Sequence, residues 1–178
     1  MINKILIAVD RSPNNKLVFD TAVSLAKTIG AELMLLHILS PKESDHPIAP
    51  PYTYYPIVEK NNYETYQREY AKYEQQGLEF LRNLSDRALA AGVAPEFTQL
   101  AGNPGSMICE LADNWSADLI LVGSRGLRGL KEMFLGSVSN YVTHHASCSV
   151  LIVRQPINKS EPISVEGETK DQQQLTTN

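Results

Sequence analysis

Apolar residues in this chain gather into short unbroken runs, separated by stretches where they recur every third or fourth position. Leu119 to Val122 is such a run and Lys4 to Val9 another, the pattern of strands buried on both faces, while Ala31 to Ile38 and Ser149 to Val153 read as the second and fifth strands. Pro95 to Ala101 alternates instead, which predicts a strand nearer a sheet edge. Between these the spacing turns helical. Leu17, Val18, Thr21, Ala22, Leu25, Ala26 and Ile29 follow a start signal, a Ser12 cap with Pro13 in the first turn, and stop at Gly30. Tyr66, Tyr70, Tyr73, Gly77, Leu81, Leu84, Ala88 and Ala91 form a longer stripe, predicting a helix from about Asn62 to Ala91. Met107, Ile108, Leu111, Ala112 and Trp115 share a face after the turn Gly102-Asn-Pro-Gly105. Val138, Tyr141, Val142 and His145 mark the last helix, with Ser137 at its N-cap.

Five strands alternating with helices predict an α/β fold. The expected architecture is a doubly wound five-stranded parallel sheet, order 3-2-1-4-5, with helices on both faces and right-handed crossovers. In that order the first and fourth strands are neighbours, and the chain leaves them in opposite directions. The crevice at such a switch point is where open α/β sheets collect ligands. Asp10, directly after the first strand, and Gly123, directly after the fourth, would face each other across it. Residues 1 to 154 carry the whole pattern and form the expected domain. Within about 40 to 60, five of the ten prolines (Pro41, Pro47, Pro50, Pro51, Pro56) stand among Tyr52, Tyr54 and Tyr55, so an irregular insertion is expected there. Seven of the eight tyrosines fall between positions 52 and 73, open between a lid, a partner surface and a loop covering the next helix, with the covering loop favoured. Residues 155 to 178 are polar and aperiodic, and a disordered tail is expected.

Composition narrows the classes. With 178 residues the chain is long enough for one sizeable core. The net charge of −4 argues against a nucleic-acid binder relying on a broad basic face. No apolar run nears the ~20 residues of a membrane-crossing helix, so no membrane partner is expected. The opening Met-Ile-Asn-Lys-Ile-Leu reads as strand rather than as a signal peptide. Cys109 and Cys148 imply no disulfide framework and read as buried structural thiols, which fits a reducing cytoplasm.

The candidate chemistry clusters after the fourth strand. Gly123-Ser124-Arg125-Gly126 ends the apolar run, and nine residues lead on to Gly136-Ser137. Glycines there admit backbone N–H groups close to a ligand, and a helix N-terminus offers free N–H groups to an anion. The pattern reads either as a phosphate clamp or as an ordinary strand-to-helix connection; the switch point, which picks the same place, favours the clamp. Asp10 is open between a ligand group and an acidic residue complementing the helix dipole. His37, between Leu36 and Ile38, reads as a hydrogen-bonded strand residue, since no second ligand stands at metal spacing from it.

Asp10 after a first strand, Ala117-Asp-Leu-Ile-Leu-Val-Gly-Ser-Arg-Gly126, the nine-residue spacer, Gly136-Ser-Val-Ser139 and Cys148-Ser-Val-Leu-Ile-Val-Arg154 together resemble the universal stress protein family. The resemblance spans residues 1 to 154 and points to the nucleotide-binding branch, whose glycine pattern the other, ATP-free branch lacks. It implies the adenine nucleotide alpha hydrolase-like fold and binding of ATP or AMP. Carried over, it sets Asp10 on the ribose hydroxyls, and Ala8, Val9, Ile38 and Val122 around the adenine. Gly123 and Gly126 would admit ribose and phosphates, with Gly136, Ser137 and Ser139 donating to phosphate oxygens around Val138. Arg125, with Arg128 and Lys131, is open between added charge for the phosphates and a solvated basic loop. Mg2+ would be bound through the phosphates rather than at a metal site of the protein's own. The resemblance also implies a homodimer paired through the last strand, Ser149 to Val153, although Ser149 stands where many relatives have proline.

Two function classes follow. One is a nucleotide-responsive module that reports stress or energy state to protein partners. The other is an enzyme on the same scaffold, a slow ATPase or a nucleotidyl-transfer relative. An enzyme needs a base, a metal-holding carboxylate or a catalytic lysine near the γ-phosphate. The sequence has no Walker A motif and no Ser-Gly-Gly loop after the first strand, and adjacent His144 and His145 point about 100° apart on a helix. The binding module is favoured. A flavin site is weaker still, since its phosphate loop would stand in place of Asp10-Arg-Ser-Pro13.

Overall fold

A computed structural model of the protein describes residues 1–12, 15–41, 46–48, 59–124 and 135–154. Its elements run β1 (Lys4–Val9), α1 (Asn15–Ile29), β2 (Glu32–Leu39), α2 (Glu59–Ala90), β3 (Glu96–Ala101), α3 (Pro104–Trp115), β4 (Leu119–Gly123), α4 (Ser137–His145) and β5 (Ser149–Val153). All five strands are parallel and stand in the order β3-β2-β1-β4-β5. This is the doubly wound sheet that the alternation of patterns predicts.

Alternate residues of the central strands serve different layers. Ile5, Ile7 and Val9 of β1, Leu33 and Leu35 of β2, and Leu119 and Leu121 of β4 pack with Val18, Phe19 and Ala22 of α1 and Leu81 and Leu84 of α2. Leu6, Met34, Leu36, Ile38, Ile120 and Val122 face the other way, onto Ile108, Cys109 and Ala112 of α3 and Val142 of α4. Burial on both faces is why these strands read as unbroken apolar runs. Each fully buried Leu or Ile contributes about 1.5–3 kcal/mol of transfer free energy. β3 lies at an edge with Phe97 37% exposed, as its alternating sequence predicts.

α2 rides on β2 and β3, and at Gly77 there is no room for a side chain. A Cβ there would meet Gln99 Oε1 and, at 2.9 Å, His37 Nδ1. His37 is fully buried, with Nδ1 3.2 Å from Gln99 Oε1, while Gln99 Nε2 donates to the Glu74 carbonyl at 3.1 Å. The imidazole is therefore a hydrogen-bonded strand residue, as its apolar neighbours suggest. Nearer the start of α2, Tyr66, Tyr70 and Tyr73 form a ladder of rings. His46 lies against Tyr70 and Tyr73, with ring centroids 6.0 and 5.4 Å apart. Tyr52, Tyr54, Tyr55 and the tail 155–178 fall outside the described residues. At the amino end of the sheet, Asp118 Oδ2 accepts from Asn3 N at 2.7 Å and from Lys4 N at 3.0 Å, tying the start of β1 to that of β4.

Helix starts depart from the sequence reading. α2 begins at Glu59 instead of Asn62. Ser12 turns away from α1: its hydroxyl and its N–H donate to Asp10 Oδ1 at 2.5 and 3.1 Å. Ser137 is the first helical residue of α4 and not its cap. Extended Gly136 (φ −60°, ψ 158°) is the cap, with no side-chain bond. The cause is that Asn140 N reaches the Gly136 carbonyl at 2.9 Å, so the first helical bond starts one residue earlier than the hydroxyl suggests.

Candidate functional site

β1 and β4 pair Ile7 with Leu121. Continuing that register sets Val9 level with Gly123, with Asp10 and Ser124 just beyond. From there the chain leaves β1 towards β2 and leaves β4 towards β5, so the two exits part and open a crevice at the carboxyl end of the sheet.

Each side chain around the crevice is aimed by the pleat of its strand. Ala8, Ile38 and Val122 stand one before the end of three neighbouring strands and turn to the α3–α4 side, where Val138 also packs. Val9 turns to the α1–α2 side. The four side chains expected around a base are thus divided, three on one face and Val9 on the other. Asp10 is half-buried, and the Ser12 bonds engage only its Oδ1, which leaves Oδ2 for a further donor.

On the β4 side, Ser124 forms a clasp. Its N–H donates to the Val153 carbonyl at 3.0 Å, and its own carbonyl accepts from Gly136 N at 2.8 Å. Ser139, 2% exposed, donates its hydroxyl to the Gly136 carbonyl at 3.0 Å and lies 3.5 Å from that of Ser124. The tip of β4 and the N-terminus of α4 are therefore held together across 11 intervening residues, 125 to 135. Beyond the clasp, the N–H groups of Ser137, Val138 and Ser139 precede the first intrahelical donor, Asn140 N. They carry the positive end of the helix dipole, roughly half an elementary charge. Gly136 N–H and the Ser139 hydroxyl are engaged in the clasp itself, and the Ser137 side chain is exposed. Arg125, Gly126, Arg128 and Lys131 lie outside the described residues.

Two residues at this end of the sheet escaped the sequence reading. Ser124 acts through its main chain, which no side-chain pattern announces. Asn15 is 8% exposed, and its Oδ1 has no hydrogen-bond partner among the described residues. Its polarity on the apolar row of α1 was the available signal.

Burial first, and then the charge of Asp113, push the Cys109 and Cys148 thiols up, which suits structural residues and not nucleophiles. Among the described residues no group of three or more His, Cys, Asp or Glu side chains is placed to hold a metal ion, and no helix is long and apolar enough to cross a membrane. A shallow depression between Thr21, Leu25 and Thr28 of α1 and Leu151 of β5 lies away from the crevice.

The model of the universal stress protein family matches residues 1–154. The universal stress protein Sll1388 of Synechocystis sp. is 37% identical over 151 residues, covering 85% of this chain and 97% of its own length. Among solved structures, that of hypothetical protein MJ0577 aligns with a TM-score of 0.70 at 22% identity, over 88% of this chain and 98% of that one. A universal stress protein crystallised in complex with cAMP aligns with a TM-score of 0.57 at 27% identity, over 85% and 96% of the two chains.

Proposed function

The chain belongs to the universal stress protein family, and from that premise we propose that it binds an adenine nucleotide, ATP or AMP, in the β1–β4 crevice. Its role is that of a cytoplasmic stress or energy-state signalling module, read by protein partners. The observation that carries the reading is the hydrogen bond from Gly136 N to the Ser124 carbonyl, which brings a helix N-terminus to the tip of β4 beside Asp10. The related protein in complex with cAMP supports the ligand class.

Each group has a task in this reading. Ala8, Ile38 and Val122 desolvate the base on one face, and Val9 contributes main chain. Asp10 accepts from the ribose through Oδ2. Gly123 and Gly126 leave room for the ribose and phosphates, and the first-turn N–H groups of Ser137, Val138 and Ser139 point positive charge at the phosphate oxygens. Arg125 adds charge at the same end. Mg2+ enters on the nucleotide's phosphates, consistent with an oxygen-rich ligand that brings its own donors. A homodimer pairs the outer edges of β5, where Leu151 is 38% exposed.

The test is the nucleotide that travels with the protein. Purified without added ligand and denatured, it is expected to release ATP or AMP, identified by chromatography and mass. Added ATP is expected to survive hours of incubation. Steady turnover lost in Asp10→Ala would make the protein an enzyme, and no nucleotide on purification or titration would remove the assignment. Gly123→Val is expected to weaken binding about tenfold while the unfolding transition is kept.

A further inference from the structure

α1 turns a row of residues to the sheet, Val18, Phe19, Ala22, Val23 and Ala26, and the first member of that row is polar Asn15. Its Oδ1 is shut off from solvent and has no hydrogen-bond partner among the described residues. A buried amide oxygen without a donor is costly, and an apolar residue of similar size would avoid the cost. The place of the orphan is specific. α1 packs on β1 and β4, and Asn15 heads the row at the end that follows β1. Asn15 N also donates to the Ser12 carbonyl at 3.1 Å, which ties the start of α1 to the Asp10–Ser12 turn. Asp10, for its part, has one oxygen left, because Oδ1 receives both Ser12 donors. A ribose carries two adjacent hydroxyl donors. One remaining acceptor on Asp10 and one on Asn15 match that pair in number and polarity.

We infer that Asn15 Oδ1 accepts one ribose hydroxyl of the bound nucleotide while Asp10 Oδ2 accepts the other, which makes the crevice selective for ribose. The inference rests on the adenine-nucleotide reading above. It also explains a polar residue on an otherwise apolar row: the donor it lacks arrives with the ligand.

The experiment titrates the full chain, wild type and Asn15→Leu, with AMP, 2′-deoxy-AMP and 3′-deoxy-AMP, and follows thermal unfolding of both proteins without ligand. Wild type is expected to bind each deoxynucleotide about 5- to 10-fold more weakly than AMP. Asn15→Leu is expected to lose the same factor for AMP and nothing further for one of the two deoxynucleotides, and to unfold at or above the wild-type temperature. Asn15→Ala, which adds no volume, repeats the binding comparison should leucine not fit. Wild-type affinity for AMP in the variants overturns the inference, as does an equal loss for all three nucleotides. Wild type binding none of the three removes the nucleotide reading and this inference with it; wild type binding with indifferent variants removes this inference alone.

Discussion

Asp118 shows how one half-buried carboxylate can fasten a buried sheet. Hydrogen bonds from Asn3 N, then from Lys4 N, hold its pKa below the ordinary value of 3.8. A group whose pKa falls on folding contributes stability that is present above the unfolded value and lost as pH falls through the folded one. The melting-temperature gap between wild type and Asp118→Ala is therefore expected to be open at pH 7 and to close below about pH 4, as read by thermal scans across pH. Ser139 acts by a different route. Its buried hydroxyl secures the clasp, so Ser139→Ala is expected to cost about 1 kcal/mol in urea unfolding and to weaken nucleotide binding through looser geometry at the start of α4. A titration of that variant with ATP checks the second effect.

At the scale of elements, α2 is held at its waist. Alanine at Gly77 would gain helix propensity worth about 1 kcal/mol. It would also drive a methyl group into Gln99 and His37, which are bonded to each other and, through Gln99, to the Glu74 carbonyl. Overpacking of that kind costs about 1–3 kcal/mol, so Gly77→Ala is expected to lower stability in urea despite the better helix former. The same contrast explains what could be read in advance. Strands β1, β2 and β4 were legible because burial on both faces leaves apolar runs, and β5, although half-exposed at the sheet edge, because Val150 to Val153 are all apolar. Alternation with helices made them parallel, and the crevice followed from the expected order 3-2-1-4-5, which the structure shows. Helix starts were not legible, since a serine hydroxyl can turn either way: that of Ser12 goes back to Asp10, and Ser137 stands one step inside its helix. The division of Ala8 from Val9 was in principle readable, because adjacent strand residues must face opposite layers. The clasp was not, because its donors and acceptors are chiefly main-chain atoms joining segments 11 residues apart.

At the scale of the whole molecule, the two sheet edges are unlike. Phe97 on β3 and Leu151 on β5 are about equally exposed, at 37% and 38%, yet only β5 adjoins the depression along α1. Pairing through β5 would bury that depression as well as the strand edge. If the proposed dimer forms through β5, Leu151→Arg is expected to make the protein sediment as a monomer and to leave nucleotide affinity as it is in wild type, since the crevice lies elsewhere. Position in the sheet also sets a timetable. β1 is made first but stands third, between β2 and β4, and Asp118, which fastens its start, follows Asn3 by 115 residues. At the usual ~5–20 residues per second of synthesis, roughly 6 to 23 s pass with one side of an apolar strand bare. Nascent chains halted before residue 118 are therefore expected to be protease-sensitive and sticky, and those released beyond residue 124 far less so. The strand at the heart of the molecule is the earliest to leave the ribosome and among the last to be enclosed.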